Sequence, residues 1–140
     1  MTLANRFASL AAAFFFLASA LAAGAASAAA GLETQTHSAS GVTVKVTPKN
    51  VASDATTWEF AVVLDTHSAD LSDDLMKSSL LLDGSSEQYA PVAWEGAPPG
   101  GHHREGVLRF KALSPRPQAI GLQITRPGET AARSFRWQLK

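Results

Sequence analysis

Cysteine does not occur anywhere in the 140 residues. Disulfides, thiolate metal sites and a lipid anchor on cysteine are therefore excluded, and the fold must rest on packing, hydrogen bonds and ion pairs. Methionine is nearly as scarce: after Met1 there is only Met76, so a Cu(I) site built from thioethers has no ligands. An excess of one charge is also missing, since twelve lysines and arginines stand against twelve aspartates and glutamates, scattered along the chain. A nucleic-acid surface needs a basic excess or stripe, so nucleic acid is excluded as a partner. No long window keeps the ~3.6-residue period of an amphipathic helix, and no internal repeat occurs. Catalytic signatures are lacking too. No serine stands in a nucleophile-elbow context, no glycine-rich phosphate loop follows a strand, and no paired carboxylates stand out beyond an Asp-rich loop, so the chain reads as non-enzymatic.

A long apolar run occurs once, at the start. Arg6 is followed by uncharged "FASLAAAFFFLASALAA" from Phe7 to Ala23 and by the small-residue stretch "GAASAAAG" from Gly24 to Gly31. This is the pattern of a cleavable signal peptide over residues 1–30, with the mature chain starting near Ala29 or Gly31. A single arginine before the run excludes a twin-arginine signal. The expected location is periplasmic or extracellular, with no membrane attachment once the leader is removed. Without Arg6, eleven basic residues face twelve acidic ones, a net charge near −1.

The remaining roughly 110 residues are the size of one domain. Residues 31–40 are polar and read as a flexible linker containing a solvated His37; residues 41–140 read as the folded domain. Period-two alternation recurs along it. The inward sets are Val42, Val44 and Val46; Trp58, Phe60, Val62 and Leu64; Leu108 and Phe110; Ile120, Leu122 and Ile124; and Phe135, Trp137 and Leu139. Asp83-Gly84 predicts a hairpin between "SSLLLD" and "EQYAPVAW", in which Pro91 marks an edge. Pro127-Gly128 predicts the turn before the last strand. About seven short strands in this length predict an all-β, immunoglobulin-like β-sandwich, with a small closed barrel as the alternative. One segment breaks the pattern. "THSADLSDDLMKS", Thr66 to Ser78, carries turn and acid residues, and Ser72 to Leu75 can cap a helical turn that tucks Leu71, Leu75 and Met76 against the sandwich.

The histidines cluster in irregular sequence. His67 lies among Asp65, Asp70, Asp73 and Asp74, while His102 and His103 follow "PPGG" and precede Arg104 and Glu105. Three readings fit. In the first, His67, His102 and His103 with Asp65 or Asp70 hold a divalent metal, Zn or Cu(II), because imidazole and carboxylate are the common ligands of such ions. Adjacent strand residues point to opposite faces, so this requires the glycine pair to bend the chain. In the second, the same polar residues staple two loops, with Arg104 paired to an acid of the "DLSDD" segment. In the third, Trp94, His102 and His103 form a surface for an exported protein partner.

The blocks "LDTHSADL" (Leu64–Leu71), "PVAWEGAPPGGHHREGVLRF" (Pro91–Phe110) and "SFRW" resemble a group of small exported bacterial and archaeal proteins without an assigned function. These share a Thr-His-Ser block, a Trp-x-Gly stretch and a Gly-Gly-His-His-Arg-x-Gly block, the last being the most specific. The resemblance covers most of the mature chain. It implies that His67, His102, His103 and Arg104 act together, and it brings no activity with it.

Overall fold

Ser40 and Gly41 both have positive φ, 51° and 74°. This is the backbone of a two-residue hairpin loop whose twist matches the strands on either side. It joins β1 (Gln35–Ala39) to β2 (Val42–Asn50), paired in register from Ala39↔Val42 to Gln35↔Val46. The computed structural model describes residues 32–85 and 87–139, so the expected signal peptide lies outside the described residues. Within them the segment read as a linker is a strand, and the polar side chains that suggested a linker belong to the exposed face of an edge strand.

Chain order continues with β3 (Thr57–Thr66), a single turn α1 (Leu75–Ser78), β4 (Ser79–Leu82), β5 (Gln88–Tyr89), β6 (Ala93–Gly96), β7 (His103–Lys111), β8 (Ala119–Ile124) and β9 (Arg133–Gln138). Two antiparallel sheets pack as a sandwich, one ordered β1-β2-β3-β7-β6 and the other β5-β4-β8-β9. The described residues thus hold nine strands where about seven were expected. One of the extra strands is β1. The other arises because "EQYAPVAW" divides at Pro91: proline has no N–H to give a ladder, so the chain leaves the four-stranded sheet after Tyr89 and joins the five-stranded one at Ala93. The helical turn forms as expected with Leu71 and Leu75 buried, but Met76 points to solvent, 37% exposed.

Every residue of the expected inward sets is buried, as period two requires once one face of each strand is covered. Phe60 joins the sheets, edge-on to Phe110 with ring centroids 5.7 Å apart and tilted against Trp137 at 5.9 Å. Burying such side chains contributes on the order of 2–3 kcal/mol each. Strand β1 also reaches across to the other sheet. The Gln35 amide donates to the Arg136 carbonyl and accepts from the Arg136 N–H at 2.9 Å, and Trp137 Nε1 donates to the Glu33 carbonyl at 2.8 Å. His37 is exposed, its ring edge-on to Phe135.

A second cross-strand device sits at the other edge of the larger sheet. Gly96 and Gly106 face each other, and the Trp94 ring lies against both. A Cβ on Gly106 would come within 2.6 Å of the Glu95 carbonyl oxygen and the Gly96 Cα, atoms that cannot swing aside. A Cβ on Gly121, in β8, would meet nothing nearer than 3.6 Å. Gly106→Ala is therefore expected to cost about 1–3 kcal/mol, whereas Gly121→Ala is neutral or slightly stabilising. Urea midpoints of the two variants check this, and equal midpoints would contradict the close approach.

Candidate functional site

At one end of the sandwich the last residues of β3 run beside the first residues of β7, with Asp65 opposite His103 and Leu64 opposite Arg104. Beyond the sheet the pairing continues through loops. Thr66 N–H donates to the His102 carbonyl (2.9 Å), Leu71 N–H to the Gly101 carbonyl (3.2 Å) and Gly100 N–H to the Leu71 carbonyl (2.8 Å). The bend before β7 depends on Gly100 and Gly101, whose φ values of 116° and 76° side-chain-bearing residues rarely adopt. That bend explains why two glycines precede the His-His pair. Thr66 explains the Thr-His-Ser block in the same way. Its hydroxyl donates to the Gly41 carbonyl at 2.9 Å and accepts from the N–H groups of Ser68 and Ala69, closing the turn that exposes His67.

His103 and Arg104 are strand residues, so they part to opposite faces. His103 points outward. Its Nδ1 bonds the Asp65 carboxylate and its Nε2 lies 3.6 Å from Glu105 Oε2. The hydrogen bond to Asp65 raises the imidazole pKa above its ordinary value, with smaller help from Glu105 and against some desolvation.

Arg104 points inward and is 1% exposed. Its Nη1 donates to the carbonyls of Leu71 (3.0 Å) and Asp73 (2.8 Å), its Nη2 to that of Ala97 (3.2 Å), and its guanidinium carbon lies 5.8 Å from the Trp94 ring centroid. Burial pulls its pKa below the usual arginine value, opposed by the charges of Asp73 and Asp74. The staple therefore differs from expectation: Arg104 holds the "DLSDD" segment by backbone carbonyls and not by a carboxylate. The carboxylate of Asp73, wholly buried, is taken by Arg126, with bonds of 2.8 and 2.9 Å. Arg126 was not singled out in the sequence, although it stands one step beyond the inward set Ile120, Leu122, Ile124. Arg104 extends Leu108 and Phe110 in the same parity through Gly106, and Arg133 precedes Phe135 and Trp137. A buried arginine at the end of an inward set is the signal that marks all three.

His67, His102, His103 and Asp65 line one open depression of about 480 Å³, together with Thr43, Lys45 and Thr66. Asp70 is not among its lining residues, and Trp94 lies on the inner side of the sheet beneath Arg104 with its Nε1 bonded to the Ala97 carbonyl. The depression thus gathers four of the five expected metal ligands and adds a lysine. Among the described residues no three histidine or carboxylate side chains stand close enough to hold one ion. Comparison with known proteins finds no matching family model, no matching curated protein and no matching solved structure.

Replacing Arg104 by Met removes the guanidinium and its three hydrogen bonds, leaving Leu71 and Ala97 with Gly100 N–H and Trp94 Nε1 but the Asp73 carbonyl without its arginine donor, and is expected to cost about 2 kcal/mol. The expected result is a lower urea midpoint together with faster amide exchange at Leu71 and Gly100; an unchanged midpoint would remove Arg104 from its central place. For His103 the sign follows from its raised pKa. The Asp65 bond stabilises the fold fully below the unfolded imidazole value of ~6.5, and the gain is lost as pH rises through the higher folded value. Asp65→Asn should therefore lower the His103 midpoint in an NMR titration, and the stability gap between wild type and variant should close over the same window.

Proposed function

We propose that the chain is an exported, non-enzymatic accessory module whose working surface is the histidine end of its sandwich, and that the ligand there is a protein partner in the periplasm or outside the cell. The observation that carries this reading is the shared depression. Two separate stretches of sequence deliver His67, His102, His103 and Asp65 to one open wall, on strand ends and on loops that buried arginines hold in place. A shallow wall with hydroxyls, imidazoles, a lysine and a carboxylate suits polar, protein-sized contacts better than an enclosed small molecule. The leader pattern supports export, and the resemblance to exported proteins sharing the same blocks agrees with it. The sandwich is read as immunoglobulin-like in architecture, a class that shares the layering without always sharing the strand order.

A divalent metal is the second reading, favoured by one observation. Asp65 binds His103 through Nδ1, so a metal would take Nε2, which now lies 3.6 Å from Glu105, and carboxylates orient metal-binding imidazoles in this way. Binding Zn or Cu(II) would require His67 or His102 to close on His103. Both readings are tested on the mature chain. A photo-crosslinker in place of His102 is expected to trap a partner in the exporting cell, while one in place of Ser134, on the other sheet, is not; adducts equally from both positions, or from neither, contradict the proposal. Calorimetric titration with Zn(II) and Cu(II) decides the metal. Stoichiometric binding that His67→Ala and His103→Ala both abolish would install the metal as the ligand, and absence of binding discards it.

A further inference from the structure

On the outer face of the five-stranded sheet Asp65 and Glu105 flank His103, and Glu59 and Glu95 pair with Arg109, while the charge of Lys45 is left over among the described residues. Register places Lys45 of β2, Val63 of β3 and Glu105 of β7 in one row across the sheet, and Thr47, Ala61 and Val107 in the next. Ala61, Val63 and Val107 are half-buried and form an apolar centre, while Lys45 on one side and Glu105 on the other are exposed. Lys45 forms no ion pair among the described residues.

We propose that this face binds a second copy of the chain about a two-fold axis running along β3. A half turn about that line lays β2 of one copy over β7 of the other. Val63 then meets its own counterpart on the axis, and Lys45 meets Glu105 twice, once in each direction, as an isologous contact demands. Sheets packed face to face cross at about 30°, and neighbouring strands lie about 4.8 Å apart, so the crossing displaces these two side chains by only ~2–3 Å. That is within the reach of a lysine. An axis across the strands would instead set Lys45 against Lys45 and Glu105 against Glu105. Along β3 the chosen axis brings Asp65 and Glu59 near their own copies, but each already has a partner on β7, Asp65 the His103 imidazole and Glu59 the Arg109 guanidinium. The outer face of the other sheet, with Leu80, Leu82 and Arg136, offers no such opposed pair. This inference goes beyond the histidine end, which in the dimer appears twice at the same pole.

The test is a charge exchange on the full mature chain, read by sedimentation equilibrium over a range of concentrations, with thermal melts to show that each variant folds. Lys45→Glu and Glu105→Lys are each expected to weaken self-association at least ~10-fold, because like charges then face each other twice. An equimolar mixture of the two variants, or the double variant, should restore it. Arg136→Glu, on the opposite sheet, should leave it unchanged. A wild-type chain that stays monomeric at all concentrations, or single variants that associate as wild type does, would overturn the proposal. Lys45 also lines the histidine depression, so Glu105→Lys, which lies outside that lining, separates the two proposals. Self-association lost with crosslinking at His102 kept supports the dimer on its own, and crosslinking lost with self-association kept overturns only the partner reading.

Discussion

The buried guanidinium of Arg104 is the contact on which the histidine end depends. A charge removed from water is costly unless its hydrogens are satisfied. Here three carbonyls and an aromatic face surround it, contributed by the loop after β3, the loop after β6 and strand β6 itself, and of its three nitrogens Nε is buried without a partner among the described residues. These segments are distant in sequence and have few apolar side chains of their own, so the arginine gives them a common anchor. Arg126 repeats the device with Asp73, and Arg133 does so with the carbonyls of His37, Ala39 and Val42. In a chain without cysteine the three arginines take the place that disulfides hold in many small domains. The physics differs. A disulfide acts largely by restricting the unfolded chain, whereas these bonds exist only after folding and leave the unfolded chain unconstrained.

The two sides of β7 divide the labour. His103 faces outward with its imidazole pKa raised by the bond to Asp65, while Arg104, its immediate neighbour, faces inward and is buried. The His-His-Arg block is therefore a boundary between surface and scaffold. Its flanking glycines serve the scaffold: Gly100 and Gly101 bend the chain into register, and Gly106 lets Trp94 lie flat on the sheet beneath the arginine.

Much of this architecture was legible because period two is a strong signal where one face is covered. Val42 to Val46, Trp58 to Leu64 and Phe135 to Leu139 all bury the side the alternation indicates. β1 was not legible, since an edge strand whose ties run through backbone groups and one glutamine shows no apolar alternation; the Ser40-Gly41 turn was its remaining trace. The division of Glu87 to Trp94 between two sheets was hinted at by Pro91 but not readable as a change of layer. In the site, the meeting of His67 with the His-His pair follows from the pairing of β3 with β7, a non-local register that spacing alone does not encode. Asp70 was drawn in by its neighbours in sequence, yet the turn at Leu71, buried in the core, takes it away from the depression.

The clasp between β1 and β9 carries a mechanical consequence. Glu33 bonds to Trp137, Gln35 to Arg136 and His37 to Arg133, so the two strands run in opposite directions and the ends of the domain emerge side by side. Force entering through Leu32 and Leu139 would load these bonds one after another, opening them like a zipper, whereas strands drawn past each other in shear would share the load. The domain is thus built to yield early to a pull on its ends. For the same reason a short linker joining those ends would cost little, and would turn this seam into a continuous turn.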